Sequence, residues 1–164
     1  MNRLPVATWN PLGVNYAPAS AALPTVPADG WAKAETLSPA LPAGVTAPAE
    51  ADFGDFAASG MGAETDTWLA ENANLVNHLA VSGTADAPIV FENTLDAAHP
   101  HALTYLTIDA AEGSSLTVVQ VVRGDAENGV SASLTRIRAA ENAHVTLVQV
   151  QLLGNRARRW NAVA

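Results

Sequence analysis

The sequence predicts a mainly β protein: a parallel β-helix of about 29-residue coils with two strands per coil, preceded by a Pro/Ala-rich extended arm and one short helix. Three observations lead there. Residues 110–122 (Ala-Ala-Glu-Gly-Ser-Ser-Leu-Thr-Val-Val-Gln-Val-Val) recur as residues 139–151 (Ala-Ala-Glu-Asn-Ala-His-Val-Thr-Leu-Val-Gln-Val-Gln), 29 positions on and without a gap, with seven of thirteen positions identical. Each copy carries two short runs rich in Val, Ile, Leu and Thr, at 103–109 and 116–123, then at 132–138 and 145–152, parted by Ala-Glu-Gly or Ala-Glu-Asn turns. Neither face of 116–122 is cleanly polar: Leu116, Val118 and Val122 point one way, Val119 and Val121 the other. Strands buried on both sides read like this in parallel sheets.

An antiparallel sandwich would also give short strands and turns. It does not predict an identical residue at a fixed interval. Parallel stacking does, because equivalent residues then lie over one another about 4.8 Å apart. The same offset sets Ile137 over Ile108 and Leu79, and Val145 and Leu116 over Ala87, which marks a weaker earlier copy.

Residues 1–58 form the arm. Eight of the ten prolines fall within the first fifty residues (Pro5, Pro11, Pro18, Pro24, Pro27, Pro39, Pro42, Pro48) and leave no room for a long helix or a central strand. Trp9, Val14, Tyr16 and Trp31 are spaced as anchors of an extended segment that docks on a partner or on its own body; disorder is the competing reading. Phe53 and Phe56 are further anchors in an acidic stretch. Residues 59–76 hold the Gly60-Met61-Gly62 break, a helix over 63–72 with acids in its first turn, and an exit over 72–77. Met61, Trp68 and Leu69 make its buried side. The β-helix core occupies 77–164.

Composition excludes several classes. There is no Cys, so this chain supplies no disulfide and no thiolate ligand. No apolar run reaches the length of a membrane span, and the first residues do not lead into a signal-peptide core. The bland reading is a soluble cytoplasmic protein. The net charge of −8 hides an asymmetry: residues 1–122 carry two basic side chains against thirteen acidic ones, and 123–164 carry six Arg against three acids. The acidic part argues against nucleic-acid binding. Arg156, Arg158 and Arg159 are read as a solvated turn between coils.

The candidate chemistry is thin. His99-Pro100-His101 would place two imidazoles on one side of an extended segment, with Asp96 and Glu92 as the nearest further ligands, but solvated loop histidines are the better reading. His144 replaces Ser115 in the repeat and sits at an exposed turn; His78 carries no motif. Glu112 and Glu141 stack at one corner and mimic a carboxylate pair for glycoside or uronate chemistry. Such enzymes also need acids or Arg on a strand face, where the sequence offers Gln120, Gln149 and Gln151, and Gln120 with Gln149 reads as a ladder. No catalytic, cofactor-binding or metal residue is assigned, and the chain reads as non-enzymic.

Residues 88–93 (Pro-Ile-Val-Phe-Glu-Asn), 98–120 with their His-Pro-His loop, and 133–154 resemble the β-helix core of the SufB/SufD family of iron–sulfur cluster assembly proteins. Thr8-Trp9-Asn10-Pro11-Leu12-Gly13-Val14-Asn15 and the Ser59-Gly60-Met61-Gly62 break resemble its short-armed, SufD-like members. The resemblance implies a right-handed parallel β-helix that supports cluster assembly, paired with a SufB-like or second SufD-like subunit and with the SufC ATPase through segments outside this sequence. It implies no cofactor bound by this chain itself; the assembled complex handles a nascent Fe–S cluster. The family's functional Cys and His residues and its ATPase-binding segment have no counterpart here. At offset 29, residues 161–164 fall on Ala132-Ser133-Leu134-Thr135, so the sequence is expected to stop inside its next coil as a truncated fragment. Expressed alone it is then expected to aggregate or fold without sharp cooperativity, because a solenoid needs a cap. The competing class is a non-catalytic, self-associating structural β-solenoid.

Overall fold

The structure, a computed structural model, describes residues 33–36, 40–48 and 63–164. Nine strands and one helix follow in chain order among these residues: β1 (Lys33–Thr36), β2 (Val45–Thr46), α1 (Ala63–Asn72), β3 (Leu75–Val81), β4 (Ile89–Leu95), β5 (His101–Ala110), β6 (Ser115–Gly124), β7 (Val130–Ala139), β8 (His144–Leu153) and β9 (Arg158–Val163). From β3 onward the strands alternate between two sheets, ordered β2-β3-β5-β7-β9 (the first sheet) and β1-β4-β6-β8 (the second). Every pairing among β3–β9 is parallel, so each pair of strands is one coil of a parallel β-helix. The expected fold class is the observed one.

The period is written in the register. Leu79 pairs with Ile108 and Ile108 with Ile137, and Gln120 pairs with Gln149. The turns that separate the strands are chemically matched. Gly113 (φ 67°) and Asn142 (φ 57°) occupy the same left-handed position in consecutive coils, a conformation open to Gly and tolerated by Asn. The Ser114 amide donates to the Ala111 carbonyl, and the Ala143 amide to the Ala140 carbonyl, closing both turns.

Three details depart from a uniform repeat. In the first coil Thr84 pairs with Ser115 and Ile89 with Val118, so the bridging residues 85–88 outnumber their counterparts. Ala85, not Ala87, therefore packs against the core beside Leu116. In the last coil Val130 pairs with Arg158 and Ser133 with Asn161, a spacing of 28. The 29-residue expectation put Asn161 on Ala132; the connection 154–157 is one residue shorter than 125–129, which moves it. Finally, β3 begins at Leu75 rather than after an exit over 72–77. Asn74 already extends the ladder, its side-chain oxygen and its amide both bonding to the Leu103 backbone (3.0 and 3.1 Å).

The arm contributes two short strands, both antiparallel and both at a sheet edge, β1 on β4 and β2 on β3. That is the position a proline-rich segment can take, since Pro supplies no donor to a central ladder. Val45 is buried against Leu79 and Val81. Trp9, Val14, Tyr16, Trp31, Phe53, Phe56, the Gly60-Met61-Gly62 break and the Met61 side chain lie outside the described residues.

Two apolar layers hold the coils. Between the sheets, Leu79, Val81, Ile89, Leu106, Ile108, Leu116 and Val118 form the main inner cluster. On the outer face of the first sheet, Leu103, Tyr105, Ala132 and Leu134 are covered by Leu69 and Trp68 of α1. Trp68 meets Trp160 of β9 with ring centroids 6.1 Å apart. Strand β5 is thus buried on both faces. Burying one such Leu contributes about 1.5–3 kcal/mol, so α1 acts as a lid on apolar strand residues that water would otherwise meet. The helix ends where the Asn72 side chain donates to the Trp68 carbonyl (2.8 Å).

Candidate functional site

Two neighbourhoods concentrate polar chemistry. The first lies on the outer face of the first sheet, beyond the reach of α1. The register makes two columns there: His78, Thr107 and Arg136, then Ala80, Asp109 and Arg138. His78 Nε2 lies 2.7 Å from Asp109 Oδ2, and Arg138 Nη1 lies 3.7 Å from the other carboxylate oxygen. Among the described residues, buried His78 Nδ1 and Thr107 Oγ1 have no hydrogen-bond partner. Leaving such an atom unpaired costs about 1–3 kcal/mol. Asp109 and Arg138 open into a groove of about 580 Å³ that also takes in Thr46 and Ser82 and is floored by alanines. An Asp–His pair of this kind fixes the imidazole's orientation.

The sequence reading placed only Gln on strand faces and overlooked this cluster. Its members are not identical between coils, so a search for repeated residues passes over them. Writing positions 80, 109 and 138 in one column would have revealed an acid beside a guanidinium.

The second neighbourhood is the lumen between the sheets. Midway along the strands the inward residues turn polar. The Asn93 amide donates to Thr104 Oγ1 (3.3 Å), and the Thr135 hydroxyl donates to Gln120 Oε1 (3.3 Å). Gln149 Nε2 donates to the same Gln120 oxygen (2.8 Å), the ladder expected of these two residues. Gln149 and Asn161 then exchange a reciprocal pair of amide hydrogen bonds across the lumen (3.0 and 2.8 Å). Identical amides stacked one coil apart satisfy each other's donors and acceptors, which sustains a part-buried polar seam beside the apolar core.

No family model, curated protein or solved structure matches this chain.

The other candidates separate. His99 is held in a loop by Asp96, which accepts from the amides of Ala98 and His99 (2.9 and 2.7 Å). Those bonds, the His99 amide first, keep the Asp96 carboxyl below its ordinary range. His99 Nδ1 also lies 3.2 Å from Asp96 Oδ1, but His101 is buried at the head of β5 and Glu92 is ion-paired with Arg123, so the two histidines and the two acids do not form one cluster. Among the described residues no group of three or more His, Cys, Asp or Glu could hold a metal ion. Glu112, Glu141 and His144 are exposed. Among the described residues no helix is long and apolar enough to cross a membrane.

The arginine run divides in two. Arg156 sits in a turn and pairs with Asp125 (2.8 Å), which holds the Asp125 carboxyl low. Arg158 and Arg159 are the first residues of β9, not part of a turn. Arg159 points inward, where Nη1 donates to Ser131 Oγ (3.2 Å) and burial lowers its pKa from the usual arginine value.

Proposed function

We propose that this chain is a SufD-like scaffold subunit in iron–sulfur cluster assembly, non-enzymic and cytoplasmic, acting with a SufB-like or like partner and a SufC-type ATPase. One observation carries the reading. The residues whose order resembles that family, 88–93, 98–120 and 133–154, fall on successive coils of a parallel β-helix, strand on strand and turn on turn. A two-sheet solenoid is a rigid platform with repeating surfaces, which suits a scaffold. The cluster would be cargo of the assembled complex, not a group resident on this chain.

The test is to tag the gene at its own locus, so that everything it encodes is included, and identify what co-purifies. SufB- and SufC-type proteins are the expected partners. Recovery of copies of this chain alone would replace the reading with a self-associating solenoid, which the exposure of Val148, Leu152 and Val163 on β8 and β9 favours as the alternative.

A further inference from the structure

We infer that the lumen beside Arg159 is a binding site for a small oxyanion of the carboxylate or phosphate class. This stands apart from the scaffold reading and rests on what faces the guanidinium.

The inward positions of β3–β9 are apolar or uncharged except for Arg159, which alternation places on the lumen side of β9 with Asn161. From β7 it faces Ser131 and Ser133, and from β8 Gln149 and Gln151. No described carboxylate lies within ion-pairing distance, whereas Arg123, Arg138 and Arg156 on the outside each have one. A half-buried cation without a counter-charge is costly, and a bound anion removes the cost.

The balance of donors and acceptors points the same way. Asn161 Oδ1 already accepts from Ser133 and Gln149, and Gln149 Oε1 accepts from Asn161. On the donor side, Arg159 spends one N–H on Ser131, and among the described residues the rest of its fork is left over, together with the side-chain N–H groups of the exposed Gln151. Gln149, Gln151, Arg159 and Asn161 line a recess of about 470 Å³. A recess rich in spare donors around a planar fork recognises an acceptor-rich anion, and Arg favours those that accept in bidentate fashion.

The experiment is a calorimetric titration of the purified protein with inorganic phosphate and, separately, malonate, at ionic strength held constant with chloride. Binding of either is expected, and the stronger probe names the class. Arg159→Gln should weaken it at least tenfold, Arg159→Lys less, and the exposed neighbour Arg158→Gln not at all. Because Arg159→Gln could disturb β9, crystals of the unaltered protein soaked in selenate supply a second readout, an anomalous peak against the Arg159 guanidinium. Absence of binding by both probes, equal weakening by Arg158→Gln, or selenate found only elsewhere would overturn the site.

Discussion

The two copies of the repeat share most of their residues yet live in different environments. In the first copy Leu116 and Val118 are fully buried; in the second, their register partners Val145 and Leu147 are only partly so. Among the described residues, strand β6 has a neighbour on each side, β4 and β8, whereas β8 is paired on one side alone. Local sequence therefore dictates strand, turn and register, and both copies obey it alike. Burial depends on what stacks above and below, which a repeat cannot encode in itself.

Five substitutions sharpen that contrast. The largest effect is expected at Gly124, whose register partner in the second copy is Leu153. Gly124 has φ 117°, and a Cβ there would lie 1.9 Å from the Leu95 carbonyl oxygen. Gly124→Ala should cost roughly 3 kcal/mol or more, read by denaturant unfolding, although the second copy carries a leucine at the same place. Next, Leu116→Ala should destabilise by about 2–4 kcal/mol and Val145→Ala by about 1 or less, since only the first leaves an enclosed cavity. Equal losses would mean that the second copy is as enclosed as the first.

A smaller change is expected in the lumen. Gln120→Leu removes the acceptor shared by Thr135 and Gln149 and leaves the fully buried Thr135 hydroxyl without that bond, for about 1–2 kcal/mol by the same assay. The smallest concerns the surface pair of Asp125 and Arg156. The folded carboxyl titrates below its ordinary 3.8, so the pair's contribution is present above that value and lost as pH falls through the lower folded one. Asp125→Asn should lower the midpoint of thermal unfolding slightly at neutral pH and converge with the parent in acid or in high salt.

Much of this architecture was legible because it is periodic. The strands from β5 to β8, the left-handed turn residues Gly113 and Asn142, the Gln120–Gln149 ladder and the extent of α1 all follow from spacing or from residue type. What escaped was non-repeating. The cover that Leu69 and Trp68 place over Leu103 and Tyr105 is a contact between distant segments and leaves no periodic trace. The charge cluster of His78, Asp109 and Arg138 uses different residues at equivalent positions, so identity between copies could not flag it. Arg159 reads as part of a turn in the sequence because its inward direction depends on a connection one residue shorter than the last.

That shortened connection leaves the facing of β9 intact. Because the missing residue lies in the 154–157 loop, the alternation along β9 resumes in phase, and Arg159 and Asn161 still face the lumen while Trp160 and Ala162 still face α1. Within a strand, the same deletion would have turned every following side chain inside out. The corner after β6 and β8 thus decouples chain length from the in–out alternation. A residue gained or lost at such a corner changes the spacing between coils and leaves the facing of every side chain in the next strand unchanged.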